Sequence, residues 1–373
     1  MREHFQQYQR IIVKVGTSTL TYANGQLNLQ RIGNLVQELA DLQNRGMDVI
    51  LVTSGAGGTG ASRMGLKKKP DTLPEKQALA AIGQGILMHI YEKFFAEYGK
   101  TVAQILLTRE DLDDRRRYLN AMNALSALLQ MGVLPIINEN DTVATHELKF
   151  GDNDTLSAMV SGVVDADLLI LLSDVNGLYD CDPRQNPEAK LIPEVNSITA
   201  QMEENSVTRG TAFSSGGMLT KLRAARICMN EGIPMVIANS SEKDIIRRII
   251  DGENIGTLFV PQKQKVPARK KWIAFGKVPQ GTLVVDEGCE KALLYKGKSL
   301  LPSGLLQVEG TFECGDVVTV KNRQGREIAR GISNYDADEL VQLIGRQSGD
   351  IQGILGYKPY DEAVHRDNLL ITE

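Results

Sequence analysis

The sequence predicts an α/β fold: an open, mostly parallel sheet sandwiched by helices, followed by a small β-rich domain. Between residue 10 and about residue 260, short apolar runs of strand length alternate with longer segments of helical period. This alternation is typical of parallel strands whose connecting helices cover both faces of the sheet. From residue 272 onward the apolar segments shorten and are separated by glycine and acidic turns, which indicates a separate β-rich module.

The first strand and helix illustrate the pattern. The run "RIIVKV" at 10–15 is apolar apart from Lys14, and the apolar residues after it fall on one helical face between an Asn28 cap and a Gly46 stop. The other predicted strands of this domain are "DVILVTS", "TVAQILL", "VLPIIN", "DLLILLS" and "IPMVIAN". The other predicted helices lie at 75–98, 115–131, 155–163 and 217–231.

A linker is predicted at 261–271, where "PQKQKVPARKK" combines two prolines and five basic residues with almost nothing to bury. It divides the chain into a first domain, 1–260, and a second domain with a C-terminal tail, 272–373. In the second domain a helix is predicted near 336–345. The predicted β segments there are "GTLVVD", "KALLY", "DVVTV" and "EIARGIS".

Composition favours small molecules as partners. A hydrophobic content of 42% with 24% charged residues is typical of a globular protein, and a net charge of −4 provides no field for nucleic acid or an anionic membrane. Four cysteines without a C-x-x-C pair and four scattered histidines do not match metal-site spacings. The N-terminus "MREHFQQYQR" lacks a signal-peptide core, so a cytoplasmic location without membrane association is expected.

Three glycine-containing loops follow predicted strands or open a predicted helix: "KVGTS" at 14–18, "TSGAGG" at 53–58 and "SSGGMLTK" at 214–221. Ligands of such sheets bind at the carboxyl ends of the strands, and glycine lets the backbone approach an anion closely. A helix that starts after Gly217 would aim its N–H groups at phosphate, and Lys221 would add a full charge. Each loop alone is typical of a tight turn, whereas the three together predict a phosphate site.

Two other nucleotide-binding motifs are disfavoured. The stretch "GAGGTG" at 55–60 has dinucleotide-binding spacing, but no strand ending in an acidic residue follows about twenty positions later. The fragments "GKT" at 99–101 and "GKS" at 297–299 lack the leading glycine of a P-loop, where Phe94 and Ala292 stand instead.

Two acidic loops, "NENDTV" at 138–143 and "FGDND" at 150–154, complete the predicted site. They are expected to bring several carboxylates to the edge of the sheet that also carries the lysines. These carboxylates are Glu139, Asp141, Asp152 and Asp154. The pattern is also compatible with Asp154 as a helix N-cap and Asp141 as a turn residue.

Taken in order, "KVGTS", "TSGAGG", "INENDTV", "FGDND", "LLSDVNGLYDCDPR" and "GGMLTK" resemble the amino acid kinase family, and within it the members that act on glutamate. The segment 281–355, with "LLPSGLLQVEGTFECGDVVTV", is similar to a PUA module. The resemblance covers nearly the whole chain. It implies transfer of a phosphoryl group from ATP, with Mg²⁺, to the γ-carboxylate of L-glutamate, giving γ-glutamyl phosphate as the first step of proline synthesis.

The resemblance also implies roles for individual residues. Lys14 and Lys221 would neutralise the transferring phosphoryl group, Asp154 would organise the two lysines, and Gly16 and Thr17 would line the path. The residues implied to hold glutamate are Ser54, Gly55, Ala56, Asn138, Asp141 and Asn153. Those implied to hold ATP are Ser173, Asp174, Ser215, Gly216, Gly217, Met218, Leu219, Thr220 and Lys221, with Lys14, Gly16 and Thr17. Ser173 and Ser215 stand where the family usually has threonine, and each keeps the hydroxyl group.

The residue types agree with such chemistry. Because the substrate carboxylate is itself the nucleophile, the protein needs no attacking serine, cysteine or histidine. It must supply position and positive charge for the transferring group. Lys14 meets that need, although a strand lysine that reaches solvent is the alternative interpretation.

Several alternatives and partners follow from the resemblance. The acceptor is also compatible with another small acid, such as acetylglutamate or carbamate; the free amino group of glutamate would require an acidic partner, which Asp141 or Glu139 would provide. PUA modules often bind RNA, but residues 272–373 contain 11 Lys and Arg against 15 Asp and Glu, the wrong sign for a phosphate-binding surface. The resemblance further implies a homo-oligomer, a dimer or tetramer, and feedback inhibition by proline.

Overall fold

A computed structural model describes residues 1–22, 25–66, 70–144, 152–183, 186, 188–206, 217–261 and 279–372. The chain forms two compact units, Met1–Lys265 and Val266–Glu373. Apart from Pro261, the linker predicted at 261–271 lies outside the described residues. No helix of the described ranges is both long and apolar enough to cross a membrane.

The first unit contains an eight-stranded sheet in the order β3-β4-β2-β1-β5-β7-β8-β6. Its strands are β1 Arg10–Val15, β2 Asp48–Val52, β3 Val102–Leu107, β4 Leu134–Glu139, β5 Leu168–Ser173, β6 Glu194–Val195, β7 Met235–Asn239 and β8 Thr257–Phe259. All neighbouring strands are parallel except β7 and β8. The predicted mostly parallel sheet is therefore confirmed.

Helices cover this sheet on both faces. They are α1 Thr17–Leu20, α2 Leu29–Asn44, α3 Ala56–Arg63, α4 Leu73–Ala96, α5 Arg109–Asp113, α6 Arg115–Gln130, α7 Asn153–Val163, α8 Ala200–Asn205, α9 Met218–Glu231 and α10 Ile245–Ile250. The caps agree with the sequence signals: the side chain of Asn28 accepts a hydrogen bond from Arg31 N to start α2, and Thr72 and Glu75 form a capping box at α4.

The two faces of β1 have different neighbours. Ile11, Val13 and Val15 belong to an apolar core that also contains residues of α2, α4 and α10. Because successive side chains of a strand point to opposite faces, Ile12 and Lys14 face the other layer, where α7 packs on β1 and β5 and α9 packs on α7.

The strand register brings the loops after four strands to one edge of the sheet. Lys14 of β1 pairs with Val52 of β2 and with Leu171 of β5, and Val52 pairs with Ile137 of β4. Because β2 and β5 lie on opposite sides of β1, the strand order changes direction at β1. Open α/β sheets form ligand-binding crevices at the carboxyl end of the strands at such a point.

The second unit contains a five-stranded sheet in the order β10-β9-β11-β12-β13, which confirms the predicted β-rich domain. Its strands are β9 Gly281–Val285, β10 Leu305–Gly310, β11 Val317–Lys321, β12 Glu327–Ile332 and β13 Leu369–Ile371, and its helices are α11 Glu287–Lys296, α12 Ala337–Leu343 and α13 Ile351–Leu355. The predicted β segment "KALLY" is wrong, because it lies in α11. Asp286 caps this helix by accepting from Cys289 N, and Gly297 ends it in the left-handed conformation.

Candidate active site

Lys14 lies at the end of β1 with only 6% of its surface exposed. Its ammonium nitrogen is 2.5 Å from Oδ1 of Asp154. The alternative of a lysine that reaches solvent is therefore wrong: the layer formed by α7 covers this face, and a charge buried there requires an opposite charge.

Asp154 is the second residue of α7 and is fully buried. The N-cap of this helix is Asp152, whose carboxylate accepts from Thr155 N at 2.8 Å. The alternative that Asp154 is the N-cap is thus wrong, and its carboxylate binds other groups. Oδ2 accepts from Lys221 Nζ at 2.9 Å and from the Thr220 hydroxyl at 3.0 Å.

Lys221 reaches this carboxylate from the first turn of α9. The helix starts after Gly217, and the lysine is 7% exposed. Two ammonium groups, from the first strand and from a late helix, therefore bind the two oxygens of one carboxylate.

The electrostatics of this cluster favour a charged Asp154. Burial alone would raise the pKa of its carboxyl group, but the charges and hydrogen bonds of Lys14 and Lys221 outweigh burial and hold the pKa well below its usual range. Two cations and one anion leave a net positive charge in a buried place. Such a cluster costs folding free energy unless its charges are paired, and it is prepared to receive an anion.

The loops after β1 and β2 meet beside the lysines. Gly16 precedes α1, and a Cβ atom on Gly16 would lie 3.6 Å from Lys14 Nζ. A Cβ on Gly58 would lie 3.7 Å from Cγ2 of Thr17. Gly55 has a φ of 99°, a conformation that favours glycine, and Ala56 begins α3 directly after it. Backbone groups of both loops thus lie close to the charged cluster.

Asn153 joins three segments of the site through its side-chain amide: the start of α7, the loop after β2 and the end of β4. Its Nδ2 lies 2.5 Å from the backbone oxygen of Thr53, 2.9 Å from Ser54 Oγ and 2.8 Å from Asn138 Oδ1, so its two hydrogens are shared among three acceptors. Asn138, which is 3% exposed, donates in turn from Nδ2 to Gln84 Oε1 at 2.8 Å. We call Ser54, Gln84, Asn138 and Asn153 the amide cluster.

Gln84 is the member of this cluster that the sequence interpretation missed. It lies in the middle of α4, outside the glycine and acidic loops, and no motif surrounds it. Only the packing of α4 against the strand ends brings it to Asn138.

The glycines of the stretch at 55–60 also serve helix packing. A Cβ on Gly60 would lie 1.9 Å from Leu79 O, and one on Gly83 would lie 1.8 Å from Ala56 O. The backbones of α3 and α4 therefore touch, and this contact sets the position of the loop that carries Ser54. Gly60 therefore has a structural role at a helix crossing that requires no bound dinucleotide.

The predicted nucleotide-binding residues lie partly inside the described ranges. Ser173 ends β5, and its hydroxyl donates to Asp174 Oδ1 at 3.1 Å; Asp174 is exposed. Gly217 precedes α9, whose first residues are Met218 and Leu219. Ser215 and Gly216 lie outside the described residues.

The other acidic residues lie around the amide cluster. Glu139 is the last residue of β4, and Asp141 follows in a turn, as the alternative interpretation of Asp141 had it. Asp152 is largely buried, and burial, together with the nearby charge of Asp154, raises the pKa of its carboxyl group. A buried carboxylate of this kind would gain from a cation.

Comparison with known proteins identifies the class. The model of the amino acid kinase family matches residues 9–239, and the PUA domain model matches residues 281–355. The chain belongs to the amino acid kinase family, so the predicted family, the predicted kinase activity and the predicted PUA module are confirmed.

The particular relatives are glutamate 5-kinases. The glutamate 5-kinase of Caldanaerobacter subterraneus subsp. tengcongensis is 55% identical over 98% of this chain and 98% of its own length. That of Thermoanaerobacter sp. (strain X514) is 54% identical with the same coverage. UMP kinase from Bacillus anthracis superposes on 69% of this chain and 97% of its own, at 18% identity and a TM-score of 0.48, a likeness too distant to support a conclusion.

Proposed function

We propose that this protein transfers the γ-phosphoryl group of ATP to the γ-carboxylate of L-glutamate, giving γ-glutamyl phosphate and ADP. The product belongs to the first step of proline synthesis. The observation that carries the proposal is the convergence of Lys14 and Lys221 on Asp154, next to a cluster of neutral amides at the same edge of the sheet.

The lysine cluster supports the phosphoryl-transfer half of the proposal. In this reaction two anions are forced together and negative charge spreads over the transferring oxygens, so fixed cations and backbone donors lower the barrier. Lys14 and Lys221 contribute two ammonium groups that Asp154 already holds in place, which means that little reorganisation is needed when ATP binds. Gly16 and Thr17 would contribute backbone and hydroxyl groups along the same path.

The amide cluster supports the acceptor half. Ser54, Asn138 and Asn153 offer oriented donors and acceptors for a carboxylate and an amino group without adding negative charge. The raised pKa of Asp152 means that an ammonium group nearby would stabilise its charged form, as the α-amino group of glutamate would. An acetylated amine would not do so, which favours glutamate over N-acetylglutamate.

Mg²⁺ is proposed to enter bound to ATP. Within the described ranges, no three His, Cys, Asp or Glu side chains are grouped as a metal site, and both oxygens of Asp154 contact lysines. Mg²⁺ is commonly held by substrate phosphates, water and few protein ligands, and there it neutralises phosphate charge. The residues of this chain would then bind and orient the phosphates that carry the ion.

A product-trapping assay tests the proposal. Purified protein is incubated with ATP, MgCl₂ and hydroxylamine, with L-glutamate, N-acetyl-L-glutamate or bicarbonate plus ammonia as acceptor. We expect ADP release and hydroxamate formation with L-glutamate, because hydroxylamine converts an acyl phosphate to a stable hydroxamate. A Lys221→Met preparation controls for contaminating kinases. Faster turnover with either competing acceptor would overturn the assignment of the substrate.

The remaining partners stay predictions of the resemblance. Homo-oligomerisation is checked by analytical ultracentrifugation, and feedback inhibition by adding L-proline to the same assay. RNA binding through the second unit is checked by a salt-dependent mobility shift with bulk tRNA. A chain ending before residue 272 that keeps kinase activity would indicate a regulatory or structural role for the PUA module.

A further inference from the structure

We propose that Gln84 is a positioning residue for the acceptor substrate, because it fixes the amide orientation of Asn138 and, through Asn138, that of Asn153. The inference rests on the proposed function and extends it to a helix residue that no site motif contains. Gln84 acts here through its neighbours and is not assigned a contact with the reacting atoms.

The hydrogen bonds of Asn138 determine its orientation. Its Oδ1 accepts from Asn153 Nδ2 at 2.8 Å and from the Glu139 backbone N–H at 2.9 Å, and its Nδ2 donates to Gln84 Oε1 at 2.8 Å. A side-chain amide has one acceptor end and one donor end. All three contacts agree on a single orientation, and Gln84 provides the acceptor for the donor end.

The orientation of Asn153 follows from that of Asn138. The Nδ2 of Asn153 is directed at three acceptors, of which Asn138 Oδ1 is one. Its oxygen end is therefore turned away from these three acceptors. If Asn138 flipped, its NH₂ group would face the NH₂ group of Asn153, and two donors would oppose each other. Gln84 thus helps to set the donor and acceptor pattern that the substrate meets.

Burial makes this arrangement matter energetically. Asn138 is 3% exposed, so loss of the Gln84 oxygen would leave a buried donor without its acceptor. The Nε2 atom of Gln84 is itself buried and makes no hydrogen bond to any residue that the structure describes. The orientation of Gln84 therefore depends on Asn138 within this part of the chain, and a ligand oxygen or a water would complete its hydrogen bonding.

The test compares two glutamine-to-methionine substitutions on one helix. Gln84→Met removes the acceptor with little change of shape. Gln77→Met removes a partly buried amide two turns earlier, whose hydrogen bond among the described residues is a long one of 3.4 Å to Ala144 O. We expect Gln84→Met to raise KM for glutamate about tenfold and to lower the melting temperature by a few degrees, because Asn138 Nδ2 loses its acceptor, while KM for ATP stays close to that of the native protein. Gln77→Met should change none of these.

A double-mutant cycle separates positioning through Asn138 from an independent effect. If Gln84 acts through Asn138, then Gln84→Met combined with Asn138→Ala should have the same KM for glutamate as Asn138→Ala alone. Full addition of the two effects, or an unchanged KM for Gln84→Met, would overturn the inference. Should Gln84→Met not fold, Gln84→Asn breaks the same 2.8 Å hydrogen bond while keeping an amide, and it is judged by the same measurements.

Failure of the proposed function is distinguishable from failure of this inference. If the native protein forms no hydroxamate from glutamate, the proposed substrate is wrong. KM of Gln84→Met is then compared with KM of the native protein for the acid that is phosphorylated. If the native protein uses glutamate and Gln84→Met matches it, only the role of Gln84 is wrong.

Discussion

The first two residues of α7 serve two regions of opposite character. Asp154 holds Lys14 and Lys221 in a buried cluster of full charges. Asn153 holds Ser54 and Asn138 in a cluster of neutral amides. Successive residues of a helix point about 100° apart, so one helix start is able to supply both regions.

The difference shows how the two halves of the reaction place separate demands on the protein. Phosphoryl transfer requires fixed positive charge, whatever the acceptor. Recognition of a particular acceptor requires oriented donors and acceptors, because an acceptor that leaves them unpaired is bound poorly. Loss of a charge from the cluster of Lys14, Asp154 and Lys221 should therefore affect turnover and stability. A disturbed amide cluster should instead affect KM for the acceptor.

Asp154→Asn should have the largest effect. It leaves the ammonium groups of Lys14 and Lys221 buried without an opposite charge, which should destabilise the protein by about 3–5 kcal/mol and abolish most of the activity. Denaturant unfolding and the hydroxamate assay measure the two effects.

The loss of stability in Asp154→Asn should depend on pH in a definite direction. The pKa of Asp154 is lowered in the folded state. Its charge therefore stabilises the fold fully at pH values above the pKa of an unfolded aspartate, about 3.9, and this stabilisation declines as the pH falls below that value. The stability difference between native protein and Asp154→Asn should therefore shrink below about pH 4. A difference that grows on acidification would contradict the ion-pair account.

Lys14→Met and Lys221→Met should rank second. Each leaves Asp154 paired with the remaining lysine, so the protein should fold, but turnover should fall by roughly 10²–10³. Steady-state kinetics measure the turnover, and circular dichroism checks that each variant is folded. Lys93→Met, on the exposed side of α4, is the control. Near-normal turnover of either variant would refute the proposed role of that lysine.

Gly83→Ala should have an intermediate effect, and it should act mainly on the amide cluster. The new Cβ would lie 1.8 Å from Ala56 O, so α3 must move, at a cost of about 1–3 kcal/mol. Because α3 follows the loop of Ser54, KM for glutamate should rise more than KM for ATP.

The matched control is Gly85→Ala on the same helix, where a Cβ meets no atom of the described residues within 4 Å. That substitution should be neutral or stabilising by up to about 1 kcal/mol. Equal behaviour of the two alanine variants would show that the close helix crossing does not position the site.

Asp152→Asn should have the smallest effect on stability. Asparagine caps a helix about as well as aspartate, so the start of α7 is kept. The raised pKa of Asp152 means that its charge destabilises the folded state once the pH exceeds about 3.9. The variant should therefore match or slightly exceed the native melting temperature at pH 7 and match it near pH 3, as scanning calorimetry would record. A large loss at pH 7 alone would mean that the Asp152 charge stabilises α7.

The sequence by itself determined the layered α/β fold, because hydrophobic period and capping residues are local signals. It also indicated the strand ends as the site, since parallel strands bring their carboxyl ends to one edge. It misassigned "KALLY", a short apolar run that suits a strand or a helix equally well until the caps at Asp286 and Gly297 are considered.

Only the tertiary structure decided which side chains meet. Lys14, Asp154 and Lys221 are far apart in the chain, and their contact depends on how α7 and α9 pack over β1. Gln84 has no local signal, because its importance comes from a hydrogen bond to a residue 54 positions away. Strand and helix patterns are properties of neighbouring residues, whereas the partner of a buried polar group is set by packing between distant segments.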